Sequence, residues 1–216
     1  FSYVRAMHAV EESDVILFLV DSDESIVDQD LKLINIIAEQ GKPLLIGLNK
    51  VDLLTRSERS EIYETKRMQS NFLKDFIKVE VSGMKGLGFK RLFRILNSLI
   101  KKSQTNYSTA LLNKHLNKFI ERSAPPSVGG RQLKLRYVHF GGTQPTTLII
   151  HSNQDNKIPS NYKRYLVNSF REELGLKSIQ LRIIFRKSDN PFEGKVNKLT
   201  ERQIKKKKRL MKHVKK

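Results

Sequence analysis

Apolar residues are arranged in two textures along this chain, short unbroken runs and stretches in which they recur every three or four positions. Val15-Ile16-Leu17-Phe18-Leu19-Val20 is continuous rather than alternating, the mark of a strand covered on both faces, and it ends in the polar turn Asp21-Ser22-Asp23-Glu24. From Asp28 to Gln40, Leu31, Ile34, Ile37 and Ala38 fall at helical spacing, with Gly41 as a C-terminal cap and Pro43 just beyond. Leu44 to Leu48 then reads as a second buried strand, Glu58 to Phe72 as a helix, Phe76 to Val81 as a third strand and Phe89 to Lys101 as a closing helix. Strand and helix alternate three times, which predicts an α/β layer with a parallel sheet and right-handed crossovers. Three strands make a small sheet, and the first calls for neighbours on both sides. The chain also opens on Phe1 rather than Met, and both features point to a piece of something longer.

The second half has a different rhythm. Thr109 to Arg122 is helical, and Lys134 to Phe140 alternates as a strand that sets Leu135, Tyr137 and His139 opposite Arg136, Val138 and Phe140, with Gly141-Gly142 expected to break it. Thr146 to His151 is a second strand, Asn161 to Leu174 a helix ended by Gly175, and Ile179 to Phe185 a third strand. That order predicts an α+β layer, one sheet covered by helices. Between the halves, Lys101-Lys102-Ser103-Gln104-Thr105-Asn106 offers no core-forming residue and reads as a linker.

Charge sharpens the division. Residues 1–104 carry 16 basic and 15 acidic side chains, whereas residues 105–216 carry 25 and 7, so nearly all of the +19 net charge lies in the second half. The expected organisation is therefore residues 1–104, residues 105–192, and a basic tail over residues 193–216. The tail includes Lys205-Lys206-Lys207-Lys208-Arg209, a block that repels itself and is expected to be disordered. Phosphates are the natural target of such a module, with Arg131, Lys134, Arg136, Lys163, Arg164, Arg182, Arg186 and Lys187 expected to form a positive, RNA-binding face.

The sharpest chemical signal is Asn49-Lys50-Val51-Asp52, placed directly after the strand Leu44 to Leu48. Ligands of open α/β sheets lie at the carboxyl ends of the strands, where this loop falls. A carboxylate such as Asp52 accepts hydrogen bonds from the ring N–H and exocyclic amine of guanine, a donor pair that adenine lacks; adenine would leave it desolvated and unpaired, at a cost on the order of a few kcal/mol. Asn49 can bond the base edge and neighbouring backbone, and the aliphatic stem of Lys50 can cover the base plane. The plainer alternative for four residues is a polar turn capping the next helix. A second loop, Ser82-Gly83-Met84-Lys85-Gly86-Leu87-Gly88, follows the strand ending at Val81. There Gly83 would let a backbone N–H approach the guanine oxygen, with Met84 beside it as an apolar lid. Two such loops at successive strand ends favour a nucleotide site.

Together, Asn49-Lys50-x-Asp52 and Ser82-Gly83-Met84 resemble the two guanine-recognition motifs of translation-factor-class GTPases. The flanking segments Ser2 to Val15 and Asp28 to Leu31 resemble the end of the switch II helix and the next β-α unit of the Der (EngA) family, bacterial GTPases with two tandem G domains. Ser123-Ala124-Pro125-Pro126, Asn161 to Leu166 and Ile183 to Arg186 resemble that family's KH-like domain. The resemblance implies the last half of a Ras-like P-loop GTPase domain followed by an α+β KH-like domain. It also implies GTP or GDP as ligand and docking on rRNA of the large ribosomal subunit during its assembly.

The departures are specific. No G-x-x-x-x-G-K-[ST] loop and no upstream Asp-x-x-Gly occurs, so the phosphate cradle and the Mg2+ and water-positioning groups are missing from this sequence. Hydrolysis is therefore expected of the intact family protein and not of this chain alone. Val51 stands where the family has an aromatic residue, and Gly83 where it has alanine. The KH-like half has no G-x-x-G between its helices, which disfavours clamping of a single strand in the manner of KH modules and favours shape and phosphate contacts. The competing reading is a non-enzymatic RNA- or ribosome-binding module whose truncated G domain binds no nucleotide.

Other chemistries are excluded or weak. There is no Cys, hence no thiol nucleophile, disulfide or Cys-ligated zinc, and the composition suits a reducing compartment. A calcium loop counted from Asp21 has Ile26 where glycine is required and Lys32 where the bidentate Glu belongs. His8, His115, His139, His151 and His213 show no metal-ligand spacing and read as surface or packing residues. Apolar runs of five or six residues are far too short to cross a bilayer, and the tail lacks the large apolar residues of an amphipathic anchor. A cytoplasmic monomer without metal or membrane partner is the expectation.

Overall fold

The computed structural model describes residues 2–22, 26–64, 72–128, 130–153, 158–187 and 201–214. Helix α1 (Ser2–Glu12) leads into β1 (Ile16–Asp21), α2 (Asp28–Glu39), β2 (Leu44–Asn49), α3 (Arg56–Glu64), β3 (Ile77–Glu80) and α4 (Phe89–Ser103). The strands are parallel, as the strand-helix alternation predicts, and lie in the order β1-β2-β3. Leu44 to Leu48 is buried throughout, so β2 is the centre of the layer. β1, by contrast, pairs on one side only among the described residues, and Leu19 stays 55% exposed. Two-sided burial expected of this strand is thus met only towards β2.

The helix expected over Glu58 to Phe72 starts earlier and is shorter where it can be described. Thr55 and Glu58 form a capping box, with the Glu58 carboxylate accepting from Thr55 N–H at 2.7 Å and Thr55 Oγ1 accepting from Glu58 N–H at 3.4 Å, so α3 begins at Arg56. Residues 65–71 lie outside the described residues, and a single 3-10 turn, Leu73–Asp75, then feeds β3.

The second half comprises α5 (Thr109–Arg122), the two-residue strands β4 (Ser127–Val128) and β5 (Arg131–Gln132), β6 (Leu135–Thr143), β7 (Thr146–Ser152), α6 (Ser160–Glu173), β8 (Leu181–Lys187) and α7 (Glu201–Val214). β7 is central, antiparallel to β6 and parallel to β8, with α5 packed on β6 and α6 on β8. The β4–β5 hairpin was not foreshadowed by any hydrophobic pattern.

Three expectations are corrected. Gly141-Gly142 does not end β6, because the strand passes through both glycines to Thr143, absorbing them in a register shift between Phe140 and Gly142. A second shift, between Leu135 and Tyr137, breaks the alternation: Leu135 and Val138 both turn inward, and Tyr137 and His139 occupy the other face. Finally, residues 193–200 of the expected disordered tail lie outside the described residues, but Glu201–Val214 is helical, its Lys and Arg being good helix formers despite mutual repulsion.

The expected linker is also more structured than its composition suggests. α4 continues through Lys101 and Lys102, cations that suit the negative end of a helix, to Ser103, which is buried and donates its hydroxyl to the Ile100 carbonyl at 2.8 Å. A single apolar cluster then spans both halves, running from Leu45, Val79, Leu92 and Leu99 to Leu112, Phe119, Val138, Ile150 and Phe170. Ser178 clasps the halves together. Buried and left-handed at φ 67°, it accepts Leu44 N–H on its carbonyl at 2.9 Å, donates its own N–H to the Asp75 carbonyl at 2.9 Å, and accepts Ile77 N–H on Oγ at 2.6 Å. Arg171 adds an ion pair to Asp75 at 2.5 Å. All these contacts meet the starting ends of β2 and β3 and leave the carboxyl ends clear.

Candidate functional site

The two polar loops emerge side by side because β2 and β3 are neighbours in one parallel sheet. Leu48 pairs with Glu80, so the segments beginning at Asn49 and Val81 leave the sheet at the same level. Val51 N–H donates to the Val81 carbonyl at 3.3 Å, and Asn49 Oδ1 accepts Gly83 N–H at 3.1 Å. The loops are therefore bolted together by backbone and side chain before any ligand is considered.

Asp52 is the most sheltered acid of the group, its side chain 9% exposed. Its carboxylate is held below the usual range, chiefly by a hydrogen bond from the Ser82 hydroxyl, with Lys85 and Arg59 adding positive potential against the opposing effect of burial. Lys85 Nζ stands 3.8 Å from Asp52 Oδ2. Ser82 is fully buried, and its oxygen also accepts Lys85 N–H at 3.1 Å, so one hydroxyl fixes both the acid and the turn beneath it. Asp52 is thus an ionised, oriented acceptor with lone pairs beyond those used by Ser82 and Lys85.

The remaining predicted residues are placed less simply. Lys50 adopts φ 63°, a left-handed conformation that a side-chain-bearing residue takes at some cost, and its ammonium meets Asp21 Oδ2 at 2.7 Å. Val51, which stands where the family has an aromatic residue, is buried in the core. Gly83 N–H, expected to meet a guanine oxygen, is engaged by Asn49. A Cβ at Gly83 would meet only Asn49 Oδ1 at 3.7 Å, ordinary contact, so close approach does not require glycine there. Gly88 is the constrained one: at φ 80°, a Cβ would fall 2.0 Å from the Glu80 carbonyl oxygen. Met84, expected as a lid, projects from the loop tip 94% exposed.

Sequence reasoning missed Asp21 and Lys85. Asp21 ends β1 in register with Asn49, so the strand order alone, had it been known, would have pointed to it. The sequence has no G-x-x-x-x-G-K-[ST] loop and no Asp-x-x-Gly, the donor set of a nucleotide-bound Mg2+, so the residues present do not fit the metal.

The eight basic residues expected on one face are divided. Arg182 and Arg186 project from the exposed side of β8, whereas Lys163 and Arg164 sit on α6, which packs against the sheet's other side. Lys163 Nζ lies 5.7 Å from the Phe185 ring centroid, and Arg164 lines a cavity of about 860 Å³ between the halves with Lys74, Arg171 and Lys177. Lys134, Arg136 and Lys187 are exposed; the side chain of Arg131 lies outside those described.

Comparison with known proteins adds a separate line. Residues 2–102 match the GTP-binding domain of elongation factor Tu, and residues 106–186 match the KH-domain-like domain found at the C-terminus of EngA bacterial GTPase enzymes. The whole chain is 38% identical to GTPase Der of Pseudomonas putida strain W619 and 39% identical to GTPase Der of Pseudomonas syringae pv. syringae and of Salmonella newport. In each case the match covers 100% of this chain and 44% of the relative, so the chain spans less than half the length of the curated relatives it matches. A crystal structure of Era in complex with MgGDPNP and nucleotides 1506–1542 of 16S ribosomal RNA aligns with a TM-score of 0.36 and 18% identity over 86% of this chain and 69% of that one, a likeness too distant to transfer a site.

Proposed function

Because this chain belongs to the Der (EngA) GTPase family and matches its carboxy-terminal region, we propose that it recognises guanine nucleotides through the loops at Asn49 and Ser82 and docks on ribosomal RNA through its basic half. The observation that carries the first part is Asp52: an ionised carboxylate, nine-tenths covered, held by a buried serine from the neighbouring strand's loop at the end of a parallel sheet. In this reading Asp52 accepts the guanine ring N–H and exocyclic amine, Asn49 and Ser82 hold the acceptor frame, Lys50 covers the base, and Gly83 and Met84 border it. Adenine offers no such donor pair and is rejected by the cost of leaving Asp52 unpaired.

GTP and GDP are the proposed ligands and ribosome assembly on the large subunit the proposed setting, with Mg2+ and hydrolysis assigned to the intact protein. Domain limits at residues 1–104 and 105–192, a monomeric state and a cytoplasmic location belong to the same proposal. No described helix is long and apolar enough to cross a membrane. For the second part, the support is charge: residues 105–216 hold 25 basic and 7 acidic side chains.

Two binding measurements on this chain test the reading. GDP is expected to bind weakly, for want of phosphate contacts, and more tightly than ADP, while rRNA binds in a salt-dependent manner. Binding of rRNA with no measurable preference for GDP would instead establish an RNA-binding module whose G-domain portion is a scaffold.

A further inference from the structure

We infer that the open face of the β6–β7–β8 sheet is a stacking platform for unpaired RNA bases, centred on Tyr137. This rests on the proposed RNA docking of the basic half and names the part of the RNA that it reads. The register shift between Leu135 and Tyr137 delivers Tyr137 and His139 to the face opposite the core, where β7 contributes His151. Tyr137 and His151 are cross-strand partners with ring centroids 4.3 Å apart and planes 7° from parallel. The His139 ring lies 5.2 Å from that of His151 and 6.0 Å from that of Tyr137. The three rings therefore form one cluster, with His151 stacked on the phenol ring. Tyr137 is 43% exposed, so part of this aromatic cluster is open to solvent while the two imidazoles brace it.

The neighbouring strand supplies the complementary charge. β8 runs parallel to β7 with Arg186 beside His151, Ile184 beside Ile149 and Arg182 beside Thr147, and both arginines are exposed. None of the three strands carries an acidic residue over its length, LRYVHFGGT, TTLIIHS and LRIIFRK. An aromatic surface bordered by the guanidinium groups of two exposed arginines suits a chain of bases and phosphates better than an apolar or acidic protein surface. Bases stack on Tyr137 while Arg182 and Arg186 take the phosphates that follow, an arrangement open to single strands and closed to the paired, inward-facing bases of a duplex. The histidines, far apart in sequence, become part of one functional surface.

Fluorescence anisotropy on the full 216-residue chain tests this, with a 12-nucleotide oligouridylate or oligoadenylate against an RNA hairpin of equal phosphate count. Wild-type chain is expected to prefer the single strands, and Tyr137→Ala to weaken them roughly tenfold, about 1.4 kcal/mol, with little change for the hairpin. Tyr137→Phe should keep wild-type affinity. The chain has no tryptophan, so Tyr137→Trp gives a single indole whose emission should be quenched by single-stranded RNA. Single-strand binding that is undiminished in Tyr137→Ala and leaves the Tyr137→Trp emission unchanged overturns the inference while leaving RNA docking intact. Absence of any RNA binding by the wild-type chain overturns both readings. Self-association abolished by Tyr137→Ala, with RNA affinity unaffected, would assign the face to a second copy of the chain instead.

Discussion

Asp52 combines two properties that pull in opposite directions, near-complete shelter and retained charge. The Ser82 hydroxyl, with Lys85 and Arg59 nearby, outweighs the tendency of burial to protonate the acid. Since its carboxylate is held below the usual range in the fold, the stabilisation associated with its ionised form is present above the ordinary carboxylate range and lost as pH falls through the lowered value. Guanine affinity is accordingly expected to stay flat from pH 8 to pH 5, measured by calorimetric titration with GDP. Asp52→Asn, which exchanges one acceptor oxygen for a donor, should transfer preference from GDP to xanthosine diphosphate by roughly 10- to 100-fold, the value of a hydrogen bond to a charged group. Unchanged preference would remove Asp52 from its role. The glycines divide equally clearly: Gly83→Ala should alter melting stability by less than about 0.5 kcal/mol, whereas Gly88→Ala should cost at least about 2 kcal/mol by forcing a Cβ against the Glu80 carbonyl at positive φ. That two polar loops leave the ends of β2 and β3 was legible, because small and polar residues follow the strand residues there. Contacts among them were not: neither the capture of Gly83 N–H by Asn49 nor the turn of Lys50 towards Asp21 follows from spacing alone.

At the scale of elements, continuous apolar runs identified β1 and β2 within a residue at their starts, and β3, which carries Lys78 and Glu80, was placed within a residue as well. Alternation served less well in β6. Two register shifts within nine residues mean that period two cannot hold along the strand, so Leu135, expected beside Tyr137 and His139, shares the inward face with Val138. The clasp at Ser178 was invisible to any pattern, because it depends on one left-handed serine meeting three backbone groups distant in sequence. Ser178→Ala removes the acceptor of Ile77 N–H at a buried junction, and urea denaturation should show a loss of about 1–3 kcal/mol. A change below a few tenths of a kcal/mol would mean that the junction is relieved in some other way.

Across the whole molecule, chemistry and charge are separated along the sheet. The KH-like half grips the starting ends of β2 and β3, and the loops at Asn49 and Ser82 leave from the opposite ends, about 17 Å away at roughly 3.3 Å per residue. The proposed RNA docking on the basic half therefore need not obstruct the proposed base site. The charge imbalance predicts different responses to salt: RNA affinity should fall about 10³-fold between 50 and 200 mM for a footprint of six phosphates, whereas discrimination between GDP and ADP should stay constant. The direct test of the central claim is a backbone NMR titration of the isotopically labelled chain with GDP and, separately, ADP. GDP is expected to move the amide signals of Asn49, Lys50, Asp52 and Ser82 to Lys85 while ADP at equal concentration leaves them in place; equal shifts with both nucleotides, or GDP shifts confined to residues elsewhere, would contradict the account.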